Sequence, residues 1–428
     1  MQPPYSVPVP EEEPASADAP QSEVEALGGR QGISLLSTLA MGHSFIHFSG
    51  HAFVLLLAEA VTSLGLGPSA LGIIFASRSL GGAISQFPMG MMADRYATKR
   101  TLFMTAAILW FGFFYFLVGF ASDLALFVVL ALLLGVGGAL WHPPAIGLIS
   151  TRFPERRAFG MAIHGVGASI GDIIGPLLVG ALLLTFAWQS IFRMMLIPGV
   201  IIGVAFFLLM RGTTTGHSRG HTSMADYMGA LKDAAKHRPL AISVLAGSTR
   251  TGGQMVLLAF VPLYALDDLG LSKGLVGAIT SMLLGLSLVS QPIVGYISDR
   301  IGRKYTALPM SVLLTVLAPI LAFASGPVSL VIVVAGIGLI MFSAALVLGA
   351  YGLDIAPLEL HSSITAAQFL SGLAMGAIWP LIAGFVAESQ GIEIVFFIAS
   401  ALFGITAVMV LFLPNVKGGK PTPKFAAS

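Results

Sequence analysis

The sequence contains no cysteine and few charged residues. Without cysteine there are no disulfide bonds, no thiolate metal sites and no thiol-based catalysis. Charged residues make up 10% of the chain, whereas about 25% is usual for a soluble domain. The net charge of +2 is too small to favour nucleic-acid binding. A chain of this composition cannot cover itself with polar surface, so we do not expect a water-soluble globular protein.

Hydrophobic residues account for 56% of the chain and are arranged in long runs. About 20 apolar residues are enough to span the hydrocarbon core of a bilayer. The runs predict twelve transmembrane helices, at residues 31–60, 69–92, 101–121, 124–150, 158–186, 189–210, 239–265, 272–296, 304–325, 328–352, 363–386 and 391–413. The chain is therefore predicted to be an all-α integral membrane protein.

The predicted helices form two groups of six, separated by a long polar segment. We predict an N-terminal six-helix bundle at 31–210, a linker at 211–238 and a C-terminal six-helix bundle at 239–413. Residues 1–30, which are rich in Pro and Glu, and residues 414–428 are predicted to be tails, the first of them disordered.

Lys and Arg residues concentrate in alternate loops, and such loops usually face the cytoplasm. We therefore predict that both termini are cytoplasmic. The expected location is a bacterial inner membrane, with the chain acting as a monomer. Lys273 is the cation expected in the loops on the opposite side.

A charged turn occurs once in each predicted half. The second copy begins at Gly295 (GYISDRIGRK), and the first begins at Gly90 (GMMADRYATKR). Such a repeat indicates an internal duplication, and parallel six-helix repeats are found in one large group of transporters. The turns resemble the signature that the major facilitator superfamily carries between its second and third, and its eighth and ninth, helices. The first copy departs from it, with Ala97 in place of Gly and Thr98 in place of Arg.

This resemblance covers residues 31–413 and implies two pseudo-symmetric six-helix bundles with alternating access. In each turn a Gly and an Asp four residues apart share a helix face, so a neighbouring helix can approach the Gly while the Asp meets a helix N-terminus or an arginine. We interpret the turns as conformational latches, made of Gly90, Asp94, Arg95, Gly295, Asp299, Arg300 and Arg303. A plain topological anchor is the alternative; it explains the cations but not the repeated spacing.

The fifth predicted helix carries glycines at close intervals. Gly171, Gly175 and Pro176 resemble the glycine–proline motif of drug–proton antiporters in this superfamily. Small residues at this spacing let two helices touch backbone to backbone, which is also the simpler, generic explanation. The His142–Pro143 pair in the fourth helix is similar to the fosmidomycin-resistance branch.

Several ionisable residues fall within predicted helices, where a charge at mid-bilayer costs about 2.5–3.5 kcal/mol. The candidate substrate- and proton-binding residues are His43, His47, Arg78, His142, Asp172 and Arg250. We expect Asp172 to carry the proton and to pair with Arg78 when ionised, so that protonation frees Arg78 for an anionic substrate. Arg250 would supply the contact from the second bundle. A static Asp172–Arg78 pair and a structural, carbonyl-bonded Arg250 are the alternatives.

His43, His47 and His51 are spaced four residues apart, which places them near one face of the first helix. Such a row suits proton transfer, because histidine titrates near neutral pH. A neighbouring pair, such as His47 and His51, also suits a borderline metal ion. The carboxylates Glu59 and Asp354 receive no transport role, and Glu59 is expected to be solvated.

Two functions therefore remain open: proton-coupled export of small organic solutes, anionic and drug-like compounds among them, and uptake of a metal ion such as iron or of a metal chelate. No Zn-protease, serine-hydrolase or P-loop motif is present, so neither an enzyme nor a cofactor is predicted. A non-transporting scaffold is a third alternative, but it gives the intramembrane charges no purpose.

Overall fold

The computed structural model describes residues 30–153, 156–213, 236–356 and 361–417, together with the isolated positions 229 and 232. The tail at 1–29, most of the predicted linker, residues 357–360 and residues 418–428 lie outside the described residues. The predicted division into bundles, linker and tails therefore stays a prediction.

Twelve helical segments cross the described structure from end to end. They are α1 (Arg30–Ser63), α2 (Pro68–Arg95), α3 (Arg100–Val118), α4 (Leu124–Arg152), α5 (Arg157–Leu182), α6 (Trp188–Met194, continuing as Leu196–Met210), α7 (Arg238–Asp267), α8 (Lys273–Ile301), α9 (Arg303–Ile320), α10 (Pro327–Ile355), α11 (His361–Gln390) and α12 (Ile394–Leu411). Ten of them are long and apolar enough to cross a membrane. The described residues contain no β-strand. The predicted all-α membrane fold is confirmed.

The break in α6 falls at Met195, three residues before Pro198. Proline has no N–H to donate to the carbonyl four residues earlier, so the helix is interrupted there. The two parts continue in the same direction, and we treat them as one crossing.

Successive helices alternate in direction, so α1 begins and α12 ends on one face, which we call the tail face. The opposite face, where α1 ends and α2 begins, is the far face. In the first half α1 packs against α5 and α2 against α4; in the second half α7 packs against α11 and α8 against α10. The halves meet where α2 packs against α11 and α5 against α8. This correspondence is the pseudo-symmetry expected from the repeated turns.

Glycines let α5 lie directly against α1. A Cβ at Gly171 would collide with the carbonyl oxygen of Ser44, and one at Gly175 would lie 2.7 Å from the carbonyl oxygen of Phe48. The predicted backbone-to-backbone contact is therefore present. We call this contact, at Gly171 and Gly175, the seam between α1 and α5. It brings Asp172 to the histidines of α1.

Glycines also line the two places where the halves meet. A Cβ at Gly180 of α5 would lie 2.8 Å from Cα of Gly277 in α8. A Cβ at Gly72 of α2 would lie 3.3 Å from Cα of Gly384 in α11. We call these contacts the two glycine crossings, and each leaves no room for a side chain between the helices.

Polar contacts also join the halves at the far face. Glu59 near the end of α1 pairs with Lys273 at the start of α8, with 2.5 Å between Oε1 and Nζ. The hydroxyl of Thr62 donates to Asp267 at 2.7 Å. The backbone N–H of Ser69 donates to Glu388 at 3.1 Å. In this state the far face is closed.

The second charged turn is tied to α10 by Arg303. Its guanidinium contacts Asp299 through Nη1 and Asp354 through Nε, each at 2.7 Å. Asp354, which received no role from the sequence, is therefore part of this turn. Gly302 has φ +109°, a conformation that favours glycine. Arg300 lies over the Tyr296 ring at 4.3 Å.

The first charged turn is built differently. Ala97, where the family signature has glycine, begins a short 3₁₀ turn that ends at Lys99. Arg95 lies over the Tyr96 ring at 5.8 Å.

A Cβ at Gly90 would meet no described atom within 4 Å, so the predicted close approach of a neighbouring helix is absent there in this state. A Cβ at Gly295, by contrast, would contact Leu346 of α10 at 3.7 Å. The side chain of Asp94 lies outside the described part.

Candidate functional site

The carboxylate of Asp172 lies between two histidines of α1. Oδ1 of Asp172 is 2.8 Å from Nδ1 of His47, with which it forms a hydrogen bond. The same oxygen is 2.7 Å from Nδ1 of His51. We call these three residues the Asp172 cluster. Their side chains expose 17–27% of their surface, so the group is half-buried and within reach of water.

A second group of histidines lies nearer the tail face. The rings of His43 and His164 stack with 3.7 Å between their centroids, and Nδ1 of His43 is 2.8 Å from the carbonyl oxygen of His164. The ring of His142 on α4 is 5.4 Å from that of His43 and 6.1 Å from that of His47. The two groups therefore form one continuous row of imidazoles that ends at Asp172.

His164 received no site role from the sequence, although a signal was present. Helices α1 and α5 run in the same direction, and His43 and His51 are eight residues apart, as are His164 and Asp172. Two parallel helices in contact therefore place His43 beside His164 and His51 beside Asp172. Equal spacing on two helices becomes informative only once their contact and direction are known.

Arg78 does not form the predicted ion pair with Asp172. Its guanidinium lies over the ring of Phe53, with 5.0 Å from Cζ to the ring centroid. Nη2 reaches α1 at Gly50, where it would lie 3.4 Å from an added Cβ. Nε has no hydrogen-bond partner among the described residues. The pairing was wrong because the histidines of α1 occupy the carboxylate instead, but Arg78 still lies beside the residue that precedes His51.

Arg250 is held within the second half. Nη1 donates to Gln254 at 2.5 Å and to the carbonyl oxygen of Met341 at 3.3 Å, and Nη2 donates to Thr251 at 2.9 Å. The residue is 5% exposed. Of the two roles that the sequence left open for Arg250, these contacts correspond to the structural one.

The histidine row borders the interface between the halves. The ring of His142 is 6.2 Å from that of Phe369 on α11. Two sets of donor atoms could hold a metal ion: His47, His51 and Asp172 form one, and His43, His47 and His142 form the other, with the atoms of each set within 4.8 Å of one another. His47 belongs to both sets.

Two pseudo-symmetric halves of six membrane helices each are the architecture of a large group of multi-pass membrane transporters. A family model described as Major Facilitator Superfamily matches residues 39–375 and 242–428, and the chain belongs to this superfamily. The curated relatives that follow are named as a transporter and a multidrug resistance protein, and neither of them as an enzyme.

Curated relatives agree on transport and differ in what they carry. The hexuronate transporter of Bacillus subtilis is 25% identical over 248 residues, which is 56% of this chain and 58% of that protein, less than two thirds of its length. The multidrug resistance protein MdtG of Dickeya zeae is 29% identical over 296 residues, 65% of this chain and 70% of that protein.

A solved structure supports the fold alone. A bacterial homologue of the human lysosomal transporter Spinster, in an inward-facing and unoccupied conformation, superposes with a TM-score of 0.76. The two sequences are 14% identical, and the match covers 90% of this chain and 97% of the other.

Proposed function

We propose that this transporter moves a small organic anion together with a proton, with the Asp172 cluster as the proton site and Arg78 as the anion contact. The observation that carries the proposal is the single carboxylate oxygen approached by two imidazoles in a half-buried position. Asp and His side chains inside membrane helices are the usual components of proton relays in transporters.

The charge of the Asp172 cluster determines whether proton binding favours or opposes anion binding. With both imidazoles neutral the cluster carries one negative charge, and with one imidazole protonated it is neutral. Arg78 contacts α1 at Gly50, next to His51, so an anion held by Arg78 is close to that negative charge. Two unit charges about 6 Å apart repel by about 3 kcal/mol at an effective dielectric constant of about 20. Proton binding therefore favours anion binding, and the two ligands move in the same direction.

An anionic substrate is supported by Arg78 and by one relative. A buried guanidinium without a described carboxylate partner favours a ligand that brings negative charge. Hexuronate, named in the B. subtilis relative, is an organic anion. The multidrug relative supports a broader, drug-like range.

The export predicted from the glycine–proline motif requires the opposite sign of coupling. An exporter driven by an inward proton gradient releases the proton when it takes the solute. The electrostatics of the cluster favour co-movement instead, which an inward proton gradient drives as uptake. The direction of proton movement relative to the anion therefore distinguishes uptake from export.

The experiment uses the full chain in liposomes that enclose a pH-sensitive dye. An inward gradient of glucuronate, followed by a panel of other small organic anions, is applied without a pH difference. We expect the lumen to acidify as the anion enters. Asp172→Asn should abolish the acidification, and Arg78→Gln should raise the KM for the anion at least tenfold. Asp123→Asn, in a far-face loop, is the matched carboxylate control and should behave as wild type.

Two results oppose the proposal. Alkalinisation of the lumen would show exchange and restore the export prediction. Unchanged proton movement in Asp172→Asn would remove the cluster from proton coupling.

A further inference from the structure

We propose that His47, His51 and Asp172 also form a binding site for a divalent transition-metal ion of borderline softness, such as Zn²⁺, Fe²⁺ or Co²⁺. The inference adds a second ligand to the cluster assigned above, but metal binding does not depend on which solute is carried or on any gradient.

The donor set has the chemistry that these ions select. Two imidazole nitrogens and one carboxylate oxygen are typical ligands of open Zn²⁺ sites and of non-haem Fe²⁺ sites. Mg²⁺ and Ca²⁺ prefer oxygen ligands alone, so two imidazoles select against them. The carboxylate supplies the negative charge that a dication needs in a low-dielectric setting.

The geometry is close to that of a bound ion. Metal–ligand bonds of about 2.1 Å place tetrahedral donor atoms about 3.4 Å apart. The two Nδ1 atoms are now 2.7 and 2.8 Å from Oδ1, and all three atoms lie within 4.8 Å of one another. Movements of less than 1 Å, within the freedom of side chains that are still part-exposed, would open the group around one ion.

The position of His51 supplies a further argument. Its Nδ1 is buried and lies 2.7 Å from Oδ1 of Asp172. The same oxygen is hydrogen-bonded to Nδ1 of His47, so two imidazoles converge on one carboxylate oxygen. An ion placed between them would be bound by all three side chains.

A second donor set lies on the tail-face side of the site. The His43, His47 and His142 set shares His47 with the Asp172 cluster and lies towards the tail face. His142 borders the interface between the halves at Phe369. An ion that enters along this interface meets imidazole donors before it reaches Asp172.

The test is direct binding to the purified full chain in detergent, without substrate or gradient. Titration with Co²⁺ alone, followed by its visible absorption, reports the ligand type, and titration with Zn²⁺ by calorimetry reports affinity. We expect saturable binding of one ion, a rise in Tm with Zn²⁺, and no heat with Mg²⁺. Asp172→Asn and His51→Gln should each weaken binding at least tenfold.

Asp123→Asn, in a far-face loop outside both donor sets, is the matched control and should change affinity by less than about threefold. His43→Gln separates the two donor sets, because His43 belongs only to the other one. An equal loss in His43→Gln would place the ion in the other donor set and overturn the assignment. Binding that survives Asp172→Asn would place it elsewhere, and absence of saturable Co²⁺ binding would reject the site. Metal binding without proton-coupled transport would leave this site standing and reject the proposed function.

Discussion

Nζ of Lys273 lies 2.5 Å from Oε1 of Glu59, and this pair joins the first helix of one half to the second helix of the other. Glu59 is 7% exposed, so the expectation that it is solvated was wrong. Lys273 is also the cation expected on the side away from the termini. Lys273, which the charge pattern placed on that side, therefore helps to close the far face.

We predict that Lys273→Ala favours opening of the far face. Glu59 is buried and Lys273 is part-exposed, so loss of Lys273 leaves a buried carboxylate without its partner, at a cost of about 1–3 kcal/mol. This corresponds to a change of at least about fivefold in the closed-to-open ratio. The chain has no native cysteine, so a single Ser69→Cys reports opening through its rate of reaction with a membrane-impermeant maleimide. The rate should rise in Lys273→Ala. The exchange of charges in Glu59→Lys with Lys273→Glu should lower it again, and a rate equal in all three proteins would assign the pair no role.

We predict that Gly171→Ala damages the seam that carries the site. The added Cβ would collide with the carbonyl oxygen of Ser44 and lie 2.6 Å from the backbone nitrogen of Phe48. Overpacking of this kind costs about 1–3 kcal/mol, so Tm should fall, and Asp172 on the next residue should be displaced from His47. Gly165→Ala, on the same helix with open space around it, should keep Tm or raise it. A fall in both variants would point to a general need for glycine in α5 and not to the seam.

We predict that Asp268 makes the far face less stable as pH rises. Burial, followed by the nearby carboxylates Glu393 and Asp267, raises the pKa of Asp268 to about 6. Its protonated form is therefore favoured in the folded state, and the free energy of unfolding falls as pH rises from about 4 through 6. Asp268→Asn should match wild type at pH 4 and have the higher Tm at pH 7.

Asp123 should make stability change with pH in the direction opposite to that of Asp268. Its carboxylate accepts the backbone N–H of Leu126 at the start of α4, which lowers the pKa of Asp123 below its usual value. Stability from this group is present at neutral pH and is lost as pH falls. Asp123→Asn should therefore lose its disadvantage at low pH. Parallel curves for the two variants would contradict both assignments.

We predict that the second charged turn depends on Arg303 far more than on its neighbour Arg300. Arg303 is 8% exposed and bonds two carboxylates, so Arg303→Gln leaves Asp354 without its partner and should cost about 2–4 kcal/mol. Arg303→Lys should recover only part of this loss, because an ammonium does not have the planar set of donors that reaches both acids. Arg300→Gln, on an exposed side chain over Tyr296, should stay within about 0.5 kcal/mol. Thermal unfolding in detergent measures all three.

The helices and their pairing in two halves could be predicted because hydrophobic length and the repeated turn are local features of the chain. The histidines of α1 could be selected for the same reason, since a spacing of four fixes a common face. The partner of Asp172 could not be predicted, because it depends on how far α5 is rotated against α1, which close glycine packing decides. Asp354 and Glu59 were missed because their partners lie 51 and 214 residues away along the chain.

The two glycine crossings give the halves a simple mechanical relationship. At Gly72 with Gly384, and at Gly180 with Gly277, backbone meets backbone across the interface. We infer that these contacts would let one half tilt about the line through the two points without displacing a bulky side chain. We then expect the polar links at the far-face rim to contribute to the cost of switching, so that salt and acidity there change how often the carrier turns over.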